Sequence, residues 1–282
     1  MMKEMAGKEE DGSYLRRLVG AARDSISRGH YRFDFTMHHR MMSLSDAIRS
    51  CKDRNAIIAE VKFASPSMGR IREYTSPQMI AREMVEAGAI ALSVLTQPNQ
   101  FHGSIEYLMN IRVAVDVPLL MKDIIISREQ VDAAYRAGAD CILLISSIYR
   151  EGLADHTLEQ VIGMAHDRGL EVILEVHDRE EFDHAMGTDA DIIGINNRDL
   201  RSMRVDLSTT AEILGARGVS SSSGSGSSSS SNSSKTIISE SGISSAEHIR
   251  YLKRYGVHAF LIGTSIMASD NIKNKVRELV MA

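Results

Sequence analysis

The amino-acid sequence predicts a closed, eight-stranded parallel α/β barrel, and three observations carry that reading. Eight short apolar runs recur along the chain, amphipathic helical segments separate them, and no glycine-rich dinucleotide turn follows an early strand. The runs are Ala56–Phe63, Ile90–Leu95, Pro118–Lys122, Cys141–Ile145, Glu171–Val176, Asp191–Asn196, Thr236–Ser241 and Ala259–Gly263. Each is nearly continuous in Val, Ile and Leu, with little polar alternation, as in parallel strands covered on both faces.

The segments between the runs have recognisable ends. Ser76-Pro77 opens one that stops near Gly88, with Pro77 suited to a first helical position. Ser127 precedes REQVDAAYRAG, where Glu129 and Gln130 support the first turn and Gly138 suits the end. Ser244 and Ser245 precede AEHIRYLKRYG, which stops at Gly256. Strand, helix, strand, repeated eight times, is the signature of a (β/α)8 TIM barrel. The rival, an open doubly wound sheet, would carry the missing glycine-rich turn. A length of 282 residues suits one such barrel, so residues 1–282 read as a single domain.

Two regions fall outside the repeat. Tyr14 to about Ser50 reads as extra helices, with Ser45 as a cap for DAIRSCKDR, making residues 1–50 an N-terminal helical extension. The tract SSSSGSGSSSSSNSS, Ser220 to Ser234, can bury nothing and reads as a flexible Ser/Gly loop without functional weight.

Composition narrows the function classes. Hydrophobic residues make up 43% and charged residues 25%, ordinary for a globular protein with a sizeable core. A formal net charge of -4 offers no general attraction to nucleic acid or to anionic membrane. Cys51 and Cys141, the two cysteines, lie far apart, which argues against a disulfide framework and a zinc site. The N-terminus is too polar for a signal peptide, and no apolar run approaches the roughly 20 residues of a membrane span. A cytoplasmic monomer acting on a small molecule, with no nucleic-acid or membrane partner, is the expectation.

In a barrel of this kind, side chains at the C-terminal ends of the strands point into one mouth. The first strand ends in Glu60-Val61-Lys62, so Glu60 and Lys62 share a face. The third ends in Lys122, the fifth carries Glu175, and the sixth ends in Asn196. The seventh ends in Glu240-Ser241-Gly242, and the eighth in Gly263-Thr264. Charged groups at the tips of otherwise apolar strands are costly unless paired. One such group is as easily structural as functional, but a rim of them at four strand ends argues for a site. The SGIS and GTS loops place small residues, and so backbone N–H groups, where barrel enzymes often bind phosphate. Each loop alone is equally consistent with a tight turn.

IIAEVKFASPSMG, LTQPNQFHGS, LLMKDIII, ILEVHD, GINNRDL, SESGIS and FLIGTSIM resemble, in register, the successive motifs of indole-3-glycerol phosphate synthases. The resemblance runs from about Tyr14 to the C-terminus, interrupted by the Ser/Gly tract. It implies a phosphorylated substrate, 1-(2-carboxyphenylamino)-1-deoxyribulose 5-phosphate, and the products indole-3-glycerol phosphate, carbon dioxide and water. No metal or organic cofactor is implied.

Lys122 matches the family's third-strand lysine, the acid at the substrate ketone. Lys62 and Glu175 match an acid and a base for dehydration, with the order of the two lysines left open. Glu60 would hold the lysines charged. Asn196 would bond the reacting part of the sugar chain, Arg198 the anthranilate carboxylate, and Phe101 would wall the aromatic ring. Ser65, Ser241, Gly242, Gly263 and Thr264 would cradle the phosphate. Phe63, Gln97 and Ile124 depart from the residues common in the family at those positions. A sister barrel, phosphoribosylanthranilate isomerase, would carry a cysteine base where this sequence has Glu60 and Lys62. A non-catalytic barrel would have lost an acid or a base.

Overall fold

The computed structural model describes residues 2–66, 68–215 and 235–282 of the chain, so the Ser220–Ser234 tract lies outside the described residues. The barrel strands, first to eighth, are Ala56–Val61, Ala91–Leu95, Leu119–Lys122, Cys141–Ile145, Glu171–Val176, Ile192–Asn196, Thr236–Glu240 and Ala259–Ile262. Each pairs in parallel with its sequence neighbours, and the first pairs with both the second and the eighth, closing the barrel. Six of the eight expected runs overshoot their strands by a residue or two, while Cys141–Ile145 and Glu171–Val176 coincide with theirs. Phe63 shows why: it leaves the first strand to join the rings of Tyr74 and Tyr107, with centroids 5.2 and 5.8 Å away.

Side-chain alternation sorts each strand into an outer and an inner row. Ile57, Ala59 and Val61 face the surrounding helices, whereas Ala56 and Ile58 face the barrel interior. Inner residues of the other strands, among them Leu120, Leu143, Ile173, Ile192, Ile238 and Leu261, form one continuous apolar cluster. Continuing the inner rows to the C-terminal ends of the strands gives Glu60, Lys122, Glu175, Asn196 and Glu240. The same alternation that packs the core with Ile and Leu therefore aims these polar groups at the mouth.

Helix Pro77–Glu86 starts with Ser76 accepting from the Met79 N–H, and helix Ala246–Lys253 starts at Ser245, as expected. Two caps differ from expectation. Ser43, not Ser45, caps helix Leu44–Ser50 by accepting from the Asp46 N–H, while Ser45 is buried and donates its own N–H to Glu171 Oε2 at 3.0 Å. At helix Arg128–Arg136 the Ser127 side chain makes no cap. Gln130 reaches back in its place, accepting from the Ile126 N–H at 2.9 Å and donating to the Ile124 carbonyl at 2.8 Å.

The extension consists of helix Met2–Ser27, an irregular stretch and helix Leu44–Ser50. Near the mouth, Arg23 pairs with Asp155 at 2.9 Å and donates to the Leu153 carbonyl. Farther along, Arg32 meets Glu129 at 3.1 Å, and the Met37 N–H donates to the Arg136 carbonyl. At the opposite end of the barrel, the Met42 N–H donates to Asp140 and the Ser43 hydroxyl donates to Glu171. The extension thus runs the height of the barrel, fastened at both ends. No helix among the described residues is long and apolar enough to cross a membrane.

Asp140 is the anchor of that lower fastening. It is fully buried, pairs with Arg112 at 2.9 Å and accepts the Leu119 and Met42 N–H groups, each at 2.8 Å. Removing one partner of a buried pair strands the other charge in a medium that cannot solvate it. Arg112→Met should therefore cost about 3–5 kcal/mol of stability, measured by urea denaturation. A loss below about 1 kcal/mol, the scale of an exposed pair, would mean that the backbone donors alone satisfy Asp140.

Candidate active site

At the C-terminal ends of the strands lies a cavity of about 350 Å³, within the usual range for a small-molecule site. Every residue singled out from the sequence lines it: Glu60, Lys62, Lys122, Glu175 and Asn196, with Ser65, Phe101, Arg198, Ser241, Gly242, Gly263 and Thr264. Positions separated by up to two hundred residues of chain meet there because each ends an inner row of the barrel.

The charged groups form two connected sets. Lys62 Nζ lies 2.6 Å from Glu60 Oε1, and the Ser93 hydroxyl donates to Glu60 Oε2 at 3.2 Å. Lys122 Nζ donates to Glu175 Oε2 at 2.7 Å and to Glu240 Oε2 at 3.0 Å. Asn196 Nδ2 donates to Glu175 Oε1 at 2.9 Å, while Asn196 Oδ1 accepts the Arg198 N–H at 2.9 Å. These bonds fix the amide orientation and leave both faces of Glu175 occupied.

Burial would discharge Lys122, but Glu175, Glu240 and Glu60 outweigh it and hold the ammonium well above the usual lysine range. Burial likewise favours protonated Glu175, yet Lys122 and the nearby His177 ring overcome it and keep this carboxyl well below its usual range. Glu240 fares differently. Burial and the neighbouring Glu175 charge, offset only in part by Lys122, leave it pushed up to about 7. Two carboxylates sharing one ammonium cannot both ionise freely, and Glu240 is the one that gives way.

Glu240 ends the seventh strand, and neither its position in the sequence nor the family resemblance assigns it a role. Its Oε1 is buried without a partner. The signal was present, since Glu240 shares the inner row with Ile238 on a strand paired with that of Asn196. The extension contributes as well: Tyr14 and Leu18 of the first helix line the cavity and roof it. Burial raises the Tyr14 phenol, opposed by the Arg198 and Arg17 charges.

The two glycines of the expected phosphate cradle are required for a reason that sequence did not supply. Gly242 has φ of +79°, and a Cβ there would fall 2.2 Å from Val205 Cγ1. A Cβ on Gly263 would fall 2.4 Å from Glu60 Oε1 and 2.9 Å from Glu60 Cβ. Gly263 thus makes room for the carboxylate that pairs with Lys62. Ser241, before Gly242, is itself left-handed at φ of +68°, a strained conformation for a non-glycine residue and one that concentrates at functional sites. The Ser65 hydroxyl is buried without a partner beside them.

The departures from the family pattern also find places. Phe63 belongs to the aromatic group described above. Gln97 is buried, accepts the Gln100 N–H at 2.9 Å and donates to Ser25 at 3.1 Å, tying the short helix Pro98–Phe101 to the extension. Ile124 lines the cavity wall. Among the described residues no group of His, Cys, Asp and Glu side chains is arranged to hold a metal ion.

Similarity to known proteins points the same way. The family model for indole-3-glycerol phosphate synthase matches residues 14–279. An indole-3-glycerol phosphate synthase of Methanocaldococcus jannaschii is 40% identical over 86% of this chain and 84% of its own. That of Neisseria meningitidis is 37% identical over 93% and 94%, and that of Aquifex aeolicus 41% identical over 83% and 84%. Among solved structures, a thiamine phosphate pyrophosphorylase from Pyrococcus furiosus superposes with a TM-score of 0.57, covering 84% of this chain and 96% of its own. At 17% identity that likeness concerns the fold alone. With a barrel mouth built from these strand tips and a family match spanning almost all of the sequence, the chain belongs to the indole-3-glycerol phosphate synthase family.

Proposed function

We propose that this site closes the indole ring of 1-(2-carboxyphenylamino)-1-deoxyribulose 5-phosphate, releasing carbon dioxide and water to give indole-3-glycerol phosphate. The observation that carries the reading is the Lys122 ammonium held between Glu175 and Glu240 and facing the cavity. Ring closure requires the aromatic carbon that bears the carboxylate to attack the ketone carbon. Lys122 gives its proton to the ketone oxygen as the carbon–carbon bond forms, so the oxygen becomes a hydroxyl rather than an alkoxide. Loss of carbon dioxide returns its bonding pair to the ring and restores aromaticity. The hydroxyl then leaves as water, with Lys62 supplying the proton and a carboxylate removing one from the ring system.

The carboxylates divide this work by timing. Glu175 is a poor base while Lys122 is charged beside it. Once Lys122 has given up its proton, the nearest cation is gone and the basicity of Glu175 rises. Glu240, pushed up to about 7 in the free site, can exchange a proton near neutrality from the start. Every step moves only protons and electron pairs.

Arg198 suits the anthranilate carboxylate, because its planar guanidinium can take two oxygens at once. Phe101 supplies an apolar wall. The Ser65 hydroxyl, with the N–H groups of Gly242, Gly263 and Thr264, suits a phosphate, with Lys62 near enough to share its charge. The reading also carries a cytoplasmic location, since a phosphate ester is too strongly charged to pass a lipid bilayer unaided.

The test is direct. Purified protein incubated with the carboxyphenylamino substrate should produce the absorbance and fluorescence of an indole. A folded protein that yields no indole product would remove the proposal.

A further inference from the structure

A second titratable group stands behind Glu175, on the side away from Lys122. His177 is nearly buried, with its side chain 13% exposed. Its Nε2 lies 3.2 Å from Glu175 Oε1, and its Nδ1 lies 3.3 Å from Glu181 Oε2. The first contact is off the ring's N–H direction, so it acts through charge more than through a hydrogen bond. Glu181 is itself fixed: its Oε2 accepts the His177 backbone N–H at 2.8 Å, and its Oε1 lies 3.3 Å from the Arg150 guanidinium.

The charged groups around the ring come from each element packed against it. Glu175 lies on its own strand, Lys122 and Glu240 beyond it on the third and seventh, Glu181 in helix Arg179–Met186 and Arg150 in helix Ser146–Arg150. A neutral imidazole has one N–H and one lone pair. Here each ring nitrogen lies within 3.3 Å of a carboxylate oxygen, so the ring sits between two negative charges and a neutral imidazole would answer neither of them with charge. A doubly protonated ring offsets both neighbours. Burial opposes that charge, but Glu175 and Glu181 outweigh it and the ring is pushed up to about 9.

We propose that His177 stands as an imidazolium between Glu175 and Glu181 and is a positioning residue for the reaction, holding Glu175 ionised beside Lys122. The inference rests on the function proposed above for Glu175. Lys122, Glu175, His177, Glu181 and Arg150 then form a row of alternating charge from the cavity to the surface. Each carboxylate in that row is held from both sides. Because Glu175 stays ionised, the Lys122 proton remains in place until a ketone arrives to take it.

Two measurements on the full chain test this. His177→Gln keeps a polar side chain but not the charge, and kcat should fall about tenfold to a hundredfold, the scale of a misplaced reacting group, with KM much less affected. The acid limb of the kcat profile should move to higher pH, because a carboxyl without its cation is harder to ionise. A folded variant with unchanged kcat and an unmoved limb would overturn the inference. The second measurement needs no turnover and stands even if the variant fails to fold. In wild-type protein with nitrogen-15-labelled histidine, the His177 ring should be doubly protonated at about pH 7.5, where an ordinary histidine is mostly neutral. A neutral ring there would overturn the inference whatever the activity, whereas wild-type protein that forms no indole product would count against the proposed reaction alone.

Discussion

Replacing Lys122 by Met should lower turnover by about 100- to 10,000-fold, the range for losing a positioned proton donor. Met copies the length of the lysine stem, so the cavity keeps its shape while the charge is lost. The same variant should show a second signature, in stability. Without the ammonium, Glu240 loses the cation that offsets its burial and binds its proton more tightly still in the folded state, and Glu175 keeps only part of the support that depresses its value. Groups with raised folded values favour the folded state at low pH, and that advantage is lost as pH rises. In the wild-type protein Glu175 has the opposite sign, since its depressed value contributes stability that is lost only on acidification. The difference in Tm between wild type and variant should therefore widen from about pH 5 to about pH 8, as calorimetry at the two values would read. An unchanged rate would mean that the acid has been misassigned.

Glu175→Gln should be comparably damaging to turnover, again by about 100- to 10,000-fold, because it removes a base and the group that orients Lys122. The amide still accepts from Asn196 through its oxygen, so the geometry of the sixth strand tip survives. The contrast with Glu240→Gln is informative. At neutral pH Glu240 already spends part of its time protonated, and a neutral amide imitates that state. Its loss should be milder near pH 6 and grow above pH 7, where the wild-type carboxylate is charged. Steady-state rates of both variants across that range would decide the division of labour. Equal losses at every pH would contradict a role for Glu240 in exchanging protons.

The barrel was legible because its strands are buried on both faces and its helices are punctuated by serine, proline and glycine. The strand tips were legible for a related reason: a Lys or Glu that ends a run of Val, Ile and Leu has no cheap explanation. What escaped was whatever depends on angles between remote elements. Glu240 was visible at its tip, but only the closed barrel brings it within 3.0 Å of the Lys122 ammonium. Tyr14 and Leu18 sit in a helix that precedes the first strand by about thirty residues, and no local pattern says that it folds across the mouth. Gly263 looked like a place for backbone to approach phosphate, whereas its missing side chain also admits Glu60. The cap at Ser43 was missed because Glu171, from the fifth strand, claims the backbone of Ser45.

The double fastening of the extension ties one end of the barrel to the other. The ceiling over the substrate hangs from the same covalent strap whose foot is held by Asp140 and Glu171. A lesion among those footings touches nothing that binds or reacts. It would nonetheless loosen the ceiling and surface as weakened affinity, mimicking a defect in recognition at the far end of the molecule.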